Sequence, residues 1–346
     1  IEIGYNLVGL TDESQGGDLL DRLVSLRKQC AAELGIYVRP IRIRDNLQLA
    51  SNKYQFKIKG IPLAQGELMP HHYLAMSVGG TAPELMGVST REPTFGLPAV
   101  WIKEEQKIEA ESLGYTVVDA ASVLVTHLME FIKDHAHELL GKQDVKELLE
   151  MVKEHDPAVV EDLVPDVLTL GEIQKVLQHL LKERIPIRDL VTILEALGDA
   201  GRKSRDMDYL VQSARLALKR TISNQFAGED GKLYAITLDP RLEQAISNSL
   251  QNVTEGMYPV LEPSLAQGLV QKVEELWDQQ SFLGINPVLL CSTRVRLPMR
   301  RFMERFLPQV NLMAINEVAA GLEIESVGVV TADPGLGKTA DGGGCP

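Results

Sequence analysis

Aromatic residues make up only 5% of this 346-residue chain. That is too few for a module that grips sugars or nucleic-acid bases by stacking. Cysteine is scarcer: Cys30, Cys291 and Cys345 are far apart and odd in number. A disulfide framework is therefore not expected, and a reducing compartment is the simpler reading. No run approaches the ~20 apolar residues that a membrane-spanning helix needs. The chain opens Ile1-Glu2-Ile3-Gly4, without Met or a basic stretch, so no signal peptide is expected. That start suggests a processed chain or an excised piece, whose parent could still carry membrane spans. Basic residues are outnumbered 35 to 48, for a net charge of −13. This argues against a general DNA or RNA binder, because phosphate neutralisation dominates that affinity. Hydrophobic residues at 45% and charged residues at 24% exclude wholesale disorder. At about 100–200 residues per domain, the length predicts about two to four folding units.

Signatures of chemistry are also missing. No G-x-S-x-G elbow and no G-x-G-x-x-G dinucleotide loop is present. The nearest approach to a phosphate loop is Asp333-Pro334-Gly335-Leu336-Gly337-Lys338-Thr339, after a strand-like stretch at 326–330. Such a loop needs glycine where Ala332 stands, and a helix after the Lys-Thr pair. Only seven residues follow Thr339, three of them glycine, so a disordered tail over 331–346 is the better reading. His137-Glu138 would begin a zinc-protease helix motif, but Gly141 stands where the second histidine belongs. His135 and His137, two apart, point to different faces of a helix, and His71-His72 is equally weak. Cys30 and Cys291 read as small core residues. No catalytic, cofactor or metal residue is assigned, which favours a binding role over an enzyme.

Periodicity gives the organisation. Residues 2–9, 37–44 and 53–59 read as strands, with another within 60–68. Residues 18–34 carry apolar positions at helical spacing and stop at Gly35. The first ~90 residues thus form an α+β unit, and residues 80–100 read as a long loop. Helices are predicted over 103–112, 119–139, 142–155, 169–183, 187–197 and 207–225. The last third alternates. Strands are expected at 233–238, 287–291, 311–315 and 322–330. Helices are expected from Pro240, over 263–280, and over 295–307 with Pro298 near its start. That order suggests an α/β unit with a partly parallel sheet.

Two features stand out. Residues 103–172 hold six basic and seventeen acidic side chains, whereas 287–309 hold Arg294, Arg296, Arg300, Arg301 and Arg305 against Glu304 alone. These are either solvated helix faces or polarity for docking protein partners. The second feature is the apolar run Phe95-Gly96-Leu97-Pro98-Ala99-Val100-Trp101-Ile102, followed by Tyr115, Val117 and Val118. It either clamps the helical part onto the first unit or forms a groove for a partner, since Trp and Tyr are favoured interface anchors.

Ordered stretches along residues 1–330 resemble the C-terminal cytoplasmic domain of the FHIPEP family of type III export-gate proteins. They include Ile41-Arg42-Ile43-Arg44-Asp45-Asn46, Gly66-Glu67-Leu68-Met69-Pro70, Tyr73-Leu74-Ala75-Met76 and the 95–102 run. Gly114-Tyr115-Thr116-Val117-Val118-Asp119, Thr126-His127-Leu128, Ile187-Arg188-Asp189 and Pro287-Val288-Leu289-Leu290-Cys291 continue the series. The resemblance fits the flagellar branch better than the virulence-secretion branch, which stays as the alternative.

The resemblance implies a mixed α/β and α fold of four subdomains. An N-terminal α+β unit (18–90 with 140–160) would follow a linker segment at 1–17 and carry an inserted small subdomain at 91–139. A helical subdomain (161–232) and a C-terminal α/β subdomain (233–330) would complete it. It implies a non-enzymatic docking platform, beneath a membrane part, on the cytoplasmic face of the bacterial inner membrane. Expected partners are export chaperones carrying filament-type substrates, the ATPase-associated stalk and other export-apparatus proteins, and further copies in a nonameric ring. Nucleic acid and a cofactor are not expected. The partner-binding residues carried over are Leu97, Pro98, Trp101, Ile102, Tyr115, Val117, Asp119, Leu140, Val145 and Leu148. Opening and closing of the second subdomain against the fourth would expose or hide that groove, with Gly79-Gly80 and the loop to Pro93 as hinge candidates.

Overall fold

The computed structural model describes residues 1–77, 85–253 and 256–331. The chain divides into two units, the first taking Ile1–Met151 with Ile173–Leu190, the second Val152–Glu172 with the chain from Val191 onward. As the sequence predicts, both mix helices with sheets.

In the first unit β1 (Glu2–Ile3) is followed by a 3-10 helix over Tyr5–Thr11 and by α1 (Leu19–Leu34). Leu19, Leu23, Leu26, Cys30 and Leu34 form the buried stripe of α1, the spacing that places one side chain per turn on one face. Gly35 ends the helix at φ 79, and a Cβ there would lie 2.4 Å from the backbone nitrogen of Arg188. Only glycine satisfies both demands. Strands β2 (Arg44–Asp45), β3 (Lys53–Ile58) and β4 (Ile61–Glu67) complete a sheet ordered β2-β1-β3-β4. Gly66 lies opposite Tyr54, where a Cβ would meet the tyrosine ring within 2.4 Å of its hydroxyl, so this glycine makes room for the buried Tyr54. A second sheet, ordered β6-β7-β5-β8, is built from β5 (Tyr73–Met76), β6 (Val88–Arg91), β7 (Pro98–Ile102) and β8 (Thr116–Asp119), with α2 (Lys107–Ser112) before β8. Then come α3 (Ala120–Leu139) and α4 (Lys142–His155).

Several expectations change here. The 2–9 strand ends at Ile3, and the turn that follows buries Leu7. Strand β1, in the segment expected as a linker, lies between β2 and β3 of the first sheet. The 37–44 strand shrinks to the pair Arg44–Asp45, since Pro40 supplies no N–H for a ladder. The loop expected at 80–100 holds β6 and β7. Among the described residues, Pro93 and Gly96 belong to the turn at 92–97 that joins them.

Helix α5 (Pro157–Glu161) belongs to the second unit, α6 (Leu170–Lys182) lies with the first unit from Ile173 onward, and α7 (Leu190–Gly201), α8 (Met207–Ala217) and α9 (Lys219–Phe226) continue the second. The single helix expected at 207–225 is thus two, parted at Leu218. Next come β9 (Lys232–Leu238), α10 (Pro240–Asn248), the hairpin β10 (Leu250–Val253) and β11 (Gly256–Pro259), and α11 (Pro263–Phe282). The chain continues through β12 (Val288–Cys291), α12 (Thr293–Met303), β13 (Asn311–Ala314) and β14 (Glu323–Val330). The sheet β13-β12-β9-β14 is wholly parallel, not partly. All four residues of β12 are buried, which is why it reads as an unbroken apolar run. Burial raises the Cys291 thiol to about 12 and the Cys30 thiol to about 11, so neither is a thiolate at neutral pH.

Apart from Arg294, which is exposed, the arginines of the 287–309 stretch are tied into the unit. In α12, Arg296 is fully buried with its Nε 3.9 Å from Glu317 Oε1. Glu317 also accepts from Arg215 of α8, Nε at 2.6 Å and Nη2 at 2.7 Å. Arg301 pairs with Asp208 and donates to the Met257 carbonyl, Arg300 donates to the Val310 carbonyl, and Arg305 lies over the Tyr258 ring. Pro298 sits inside the helix. These charges hold the unit together, and two guanidiniums share one buried carboxylate. Replacing Glu317 by alanine is expected to destabilise the unit by about 3–5 kcal/mol, because it strands buried charge. A urea-unfolding midpoint unchanged from wild type would contradict this.

Candidate partner-docking surface

The second sheet of the first unit sets the geometry. Residues opposite each other in antiparallel strands share a face. Tyr73 faces Ile102, and Ala75 lies between Val100 and Val117. That face is covered around Leu85 and Ala110 of α2, with Tyr115 and Leu113 packed at its margin. Trp101 points to the opposite face, level with Leu74, Val88 and, across β5, Val118, and is 4% exposed. It is a core residue of the sheet. Removing it costs roughly 3–5 kcal/mol.

The β6–β7 turn presents what the sheet hides. Buried Glu92 accepts from the Thr94 and Phe95 backbone N–H groups, each at 2.7 Å. Gly96 adopts φ 68, and Arg91 donates to its carbonyl at 2.8 Å. The carboxylate thereby pins the turn from inside, and Phe95 is left 67% exposed beside the half-exposed Leu97 and exposed Pro98. Met86 and Ile108 are 85% and 80% exposed on the same sheet-and-helix layer, where Gln106 donates to the Met86 carbonyl.

The remaining expected residues lie elsewhere. Asp119 caps α3, accepting from the Ser122 N–H at 2.8 Å and pairing with Arg22 at 3.1 Å. Burial pushes its pKa up, but the Ser122 hydrogen bonds and the Arg22 charge outweigh it and hold the carboxyl below its ordinary value. Leu140 is the C-cap of the same helix. Twenty residues separate these caps, which is ~30 Å at 1.5 Å per residue. Leu140 and Leu148 line a pocket of about 300 Å³ with Ile36, Ile41, Phe56, Leu128 and Phe131, rimmed by Arg39, Lys57, Asp144 and Glu147. Val145 is fully buried beside it. The expected residues therefore divide between the sheet at one end of α3 and an apolar pocket at the other.

Between the two lies a polar core that sequence reasoning missed. Tyr54 Oη and His127 Nδ1 are 2.7 Å apart and buried. Phe56 packs against His127 and Phe131. The only trace in the sequence is a histidine on the apolar stripe of α3. The hinge candidates Gly79-Gly80 and the Gly-Lys-Thr segment lie outside the described residues. Among the described residues no cluster of three or more His, Cys, Asp or Glu side chains is arranged for a metal ion.

The FHIPEP family model matches residues 1–323. The chain belongs to the FHIPEP family. The flagellar biosynthesis protein FlhA of Bacillus subtilis is 46% identical to it over 95% of this chain and 49% of its own length. The chain thus spans about half the length of that FHIPEP relative. The CdsV protein of Chlamydia pneumoniae, solved as a complex with CdsO, superposes with a TM-score of 0.84 at 24% identity, over 95% of this chain and 96% of CdsV. Nonameric SctV-C from EPEC superposes with a TM-score of 0.78 at 19% identity, over 95% of this chain and 97% of SctV-C. At these identities the likeness is one of FHIPEP fold. No helix among the described residues is long and apolar enough to cross a membrane.

Burial lowers the His127 imidazole below its ordinary pKa, opposed by the Glu92 carboxylate. At pH above ~6.5 the ring is neutral in folded and unfolded chains and its contribution is complete. As pH falls below ~6.5 the unfolded chain takes up the proton first, so stability is lost at up to ~1.4 kcal/mol per pH unit until the lower folded-state value is passed. Urea midpoints measured from about pH 7.5 down to about 5.5 should show a smaller fall for His127→Gln than for wild type. Equal slopes would remove His127 from the account.

Proposed function

We propose that this chain is the docking platform of a flagellar type III protein export gate. On this reading it receives export chaperones loaded with filament-type substrates and passes the substrates to the membrane part of its parent. Membership of the FHIPEP family carries the proposal. The identity of 46% to a flagellar relative, against 24% to CdsV, favours the flagellar branch over the virulence branch. The ring is proposed by extension from nonameric SctV-C, and contact with a further protein of the export apparatus from the CdsV–CdsO complex. The parent would lie in the bacterial inner membrane, with this chain on its cytoplasmic side. The role is binding and conformational switching, without catalysis. The fourfold division into 18–90 with 140–160, 91–139, 161–232 and 233–330 belongs to the proposal, as does motion of the second subdomain against the fourth.

The docking face is placed at the β6–β7 turn and the α2 side of the sheet, around Phe95, Leu97, Pro98 and Tyr115. Exposed apolar side chains on a braced turn lose little conformational freedom when a partner covers them. Leu140 and Leu148 enter as the wall of the apolar pocket at the far end of α3, with Val145 buried beside it, and Ile102, Val117, Trp101 and Asp119 as the frame that positions the face.

The test is a calorimetric titration with a flagellar filament chaperone bound to its substrate. Phe95→Ala with Leu97→Ala should weaken binding by about tenfold or more, as for an aromatic anchor, with thermal unfolding close to wild type. A folded double variant that binds as wild type does would rule out this face.

A further inference from the structure

Within the first unit, the β3–β4 turn, the last turns of α3 and one side of α6 enclose a pocket of about 370 Å³. Its lining is basic in a chain of net charge −13. Helix α6 contributes Lys175, Gln178, His179 and Lys182. Their spacing of three, four and seven places them on one stripe. The opposite stripe, Val176, Leu177, Leu180 and Leu181, is buried. The basic stripe is therefore the side of α6 that the core does not use. Lys59 reaches the pocket from a turn whose two residues, Lys59 and Gly60, take φ 51 and 87.

The pocket is held in shape. Gln174 and Gln178 both donate to the Leu140 carbonyl, at 3.0 and 3.1 Å, fastening α6 to the end of α3. The single carboxylate in the lining, Glu138, lies 2.8 Å from His135. His137 lines the pocket, and its buried Nδ1 makes no hydrogen bond of ordinary geometry. The helix ends nearby bring partial negative charge of ~0.5 each. The lining itself carries three lysines against the single carboxylate of Glu138. A cleft lined by one sign of charge focuses its field, most effectively where the surrounding surface carries the other sign.

We infer that this pocket binds an acidic peptide segment of a partner protein through its carboxylates. The lining chemistry selects that ligand over a phosphoryl group. It holds no guanidinium fork and no helix N-terminus, the two devices that orient phosphate. Lysines are rotatable point charges suited to carboxylates whose spacing varies. The site is distinct from the Phe95 face, so a chaperone titration does not decide it.

The test uses the whole chain and a fluorescein-labelled repeat peptide of Glu and Ala, followed by anisotropy, with inorganic phosphate as competitor. Wild type should bind the peptide, and binding should weaken as salt rises from ~0.05 to ~0.5 M. Lys175→Glu with Lys182→Glu should lower affinity about tenfold or more, as close charge pairs do when reversed. Both lysines are exposed, so the fold should survive, and far-ultraviolet circular dichroism checks that it does. No binding by wild type, or equal binding by the charge-reversed variant, would overturn the inference. Displacement of the peptide by micromolar phosphate would overturn the choice of ligand and reassign the pocket to an oxyanion.

Discussion

The burial of α3 is the constraint on which the first unit depends. Ten of its twenty residues are buried, from Ala120 through Leu124, His127 and Phe131 to Ala136. Its ends are fixed differently. Asp119 caps the N-terminus and is itself held by Arg22 of α1. At the C-terminus the Leu140 carbonyl accepts from two glutamines of α6. A helix fastened at both ends is a rigid strut about 30 Å long. Everything with functional interest in this unit is referred to it: the braced Phe95 turn and its sheet toward one end, and the apolar and basic pockets toward the other. The Tyr54–His127 bond sits along its buried side, where an unsatisfied hydroxyl or imidazole would cost more than the bond contributes.

The second unit is organised by buried charge as well as by apolar packing. Its parallel sheet buries β12 on both faces, and α12 crosses one of them with Val295, Met299 and Phe302 in the core. Yet the same helix carries Arg296 into that interior, where Glu317 joins it to Arg215 from a different helix. A buried ion pair contributes little net stability against an apolar replacement, but it tolerates few alternative arrangements. Around Glu317, geometry and charge together admit one placement of α8, α12 and the segment after β13.

The regular elements were legible where one physical cause dominated. Helix α1 follows from its leucine spacing and Gly35, and β12 from its unbroken apolar run. Short elements escaped: β8 is held by β5, far back along the chain, and β6 is a four-residue edge strand paired only with β7 across the 92–97 turn, so both carry little pattern of their own. The 37–44 stretch alternates like a strand but lacks a ladder at Pro40. Charge was the least legible property. The arginines of α12 looked like a surface feature, since no sequence pattern announces that Glu317 and Asp208 will arrive to meet them. The site was legible as a region only. The run at 95–102 contains both surface and core, and the turn held by Glu92 decides that Phe95 faces water while Trp101 does not. Only the fold puts Tyr54, Glu92 and His127 in one neighbourhood.

The central claim is that a chaperone with its substrate docks on the braced turn and the layer around it. Hydrogen exchange of the chain, with and without a substrate-loaded flagellar chaperone, tests this most directly. The account predicts new protection concentrated in residues 92–98 and around Tyr115. Protection confined to 36–42 and 140–148, with the turn unchanged, would contradict it.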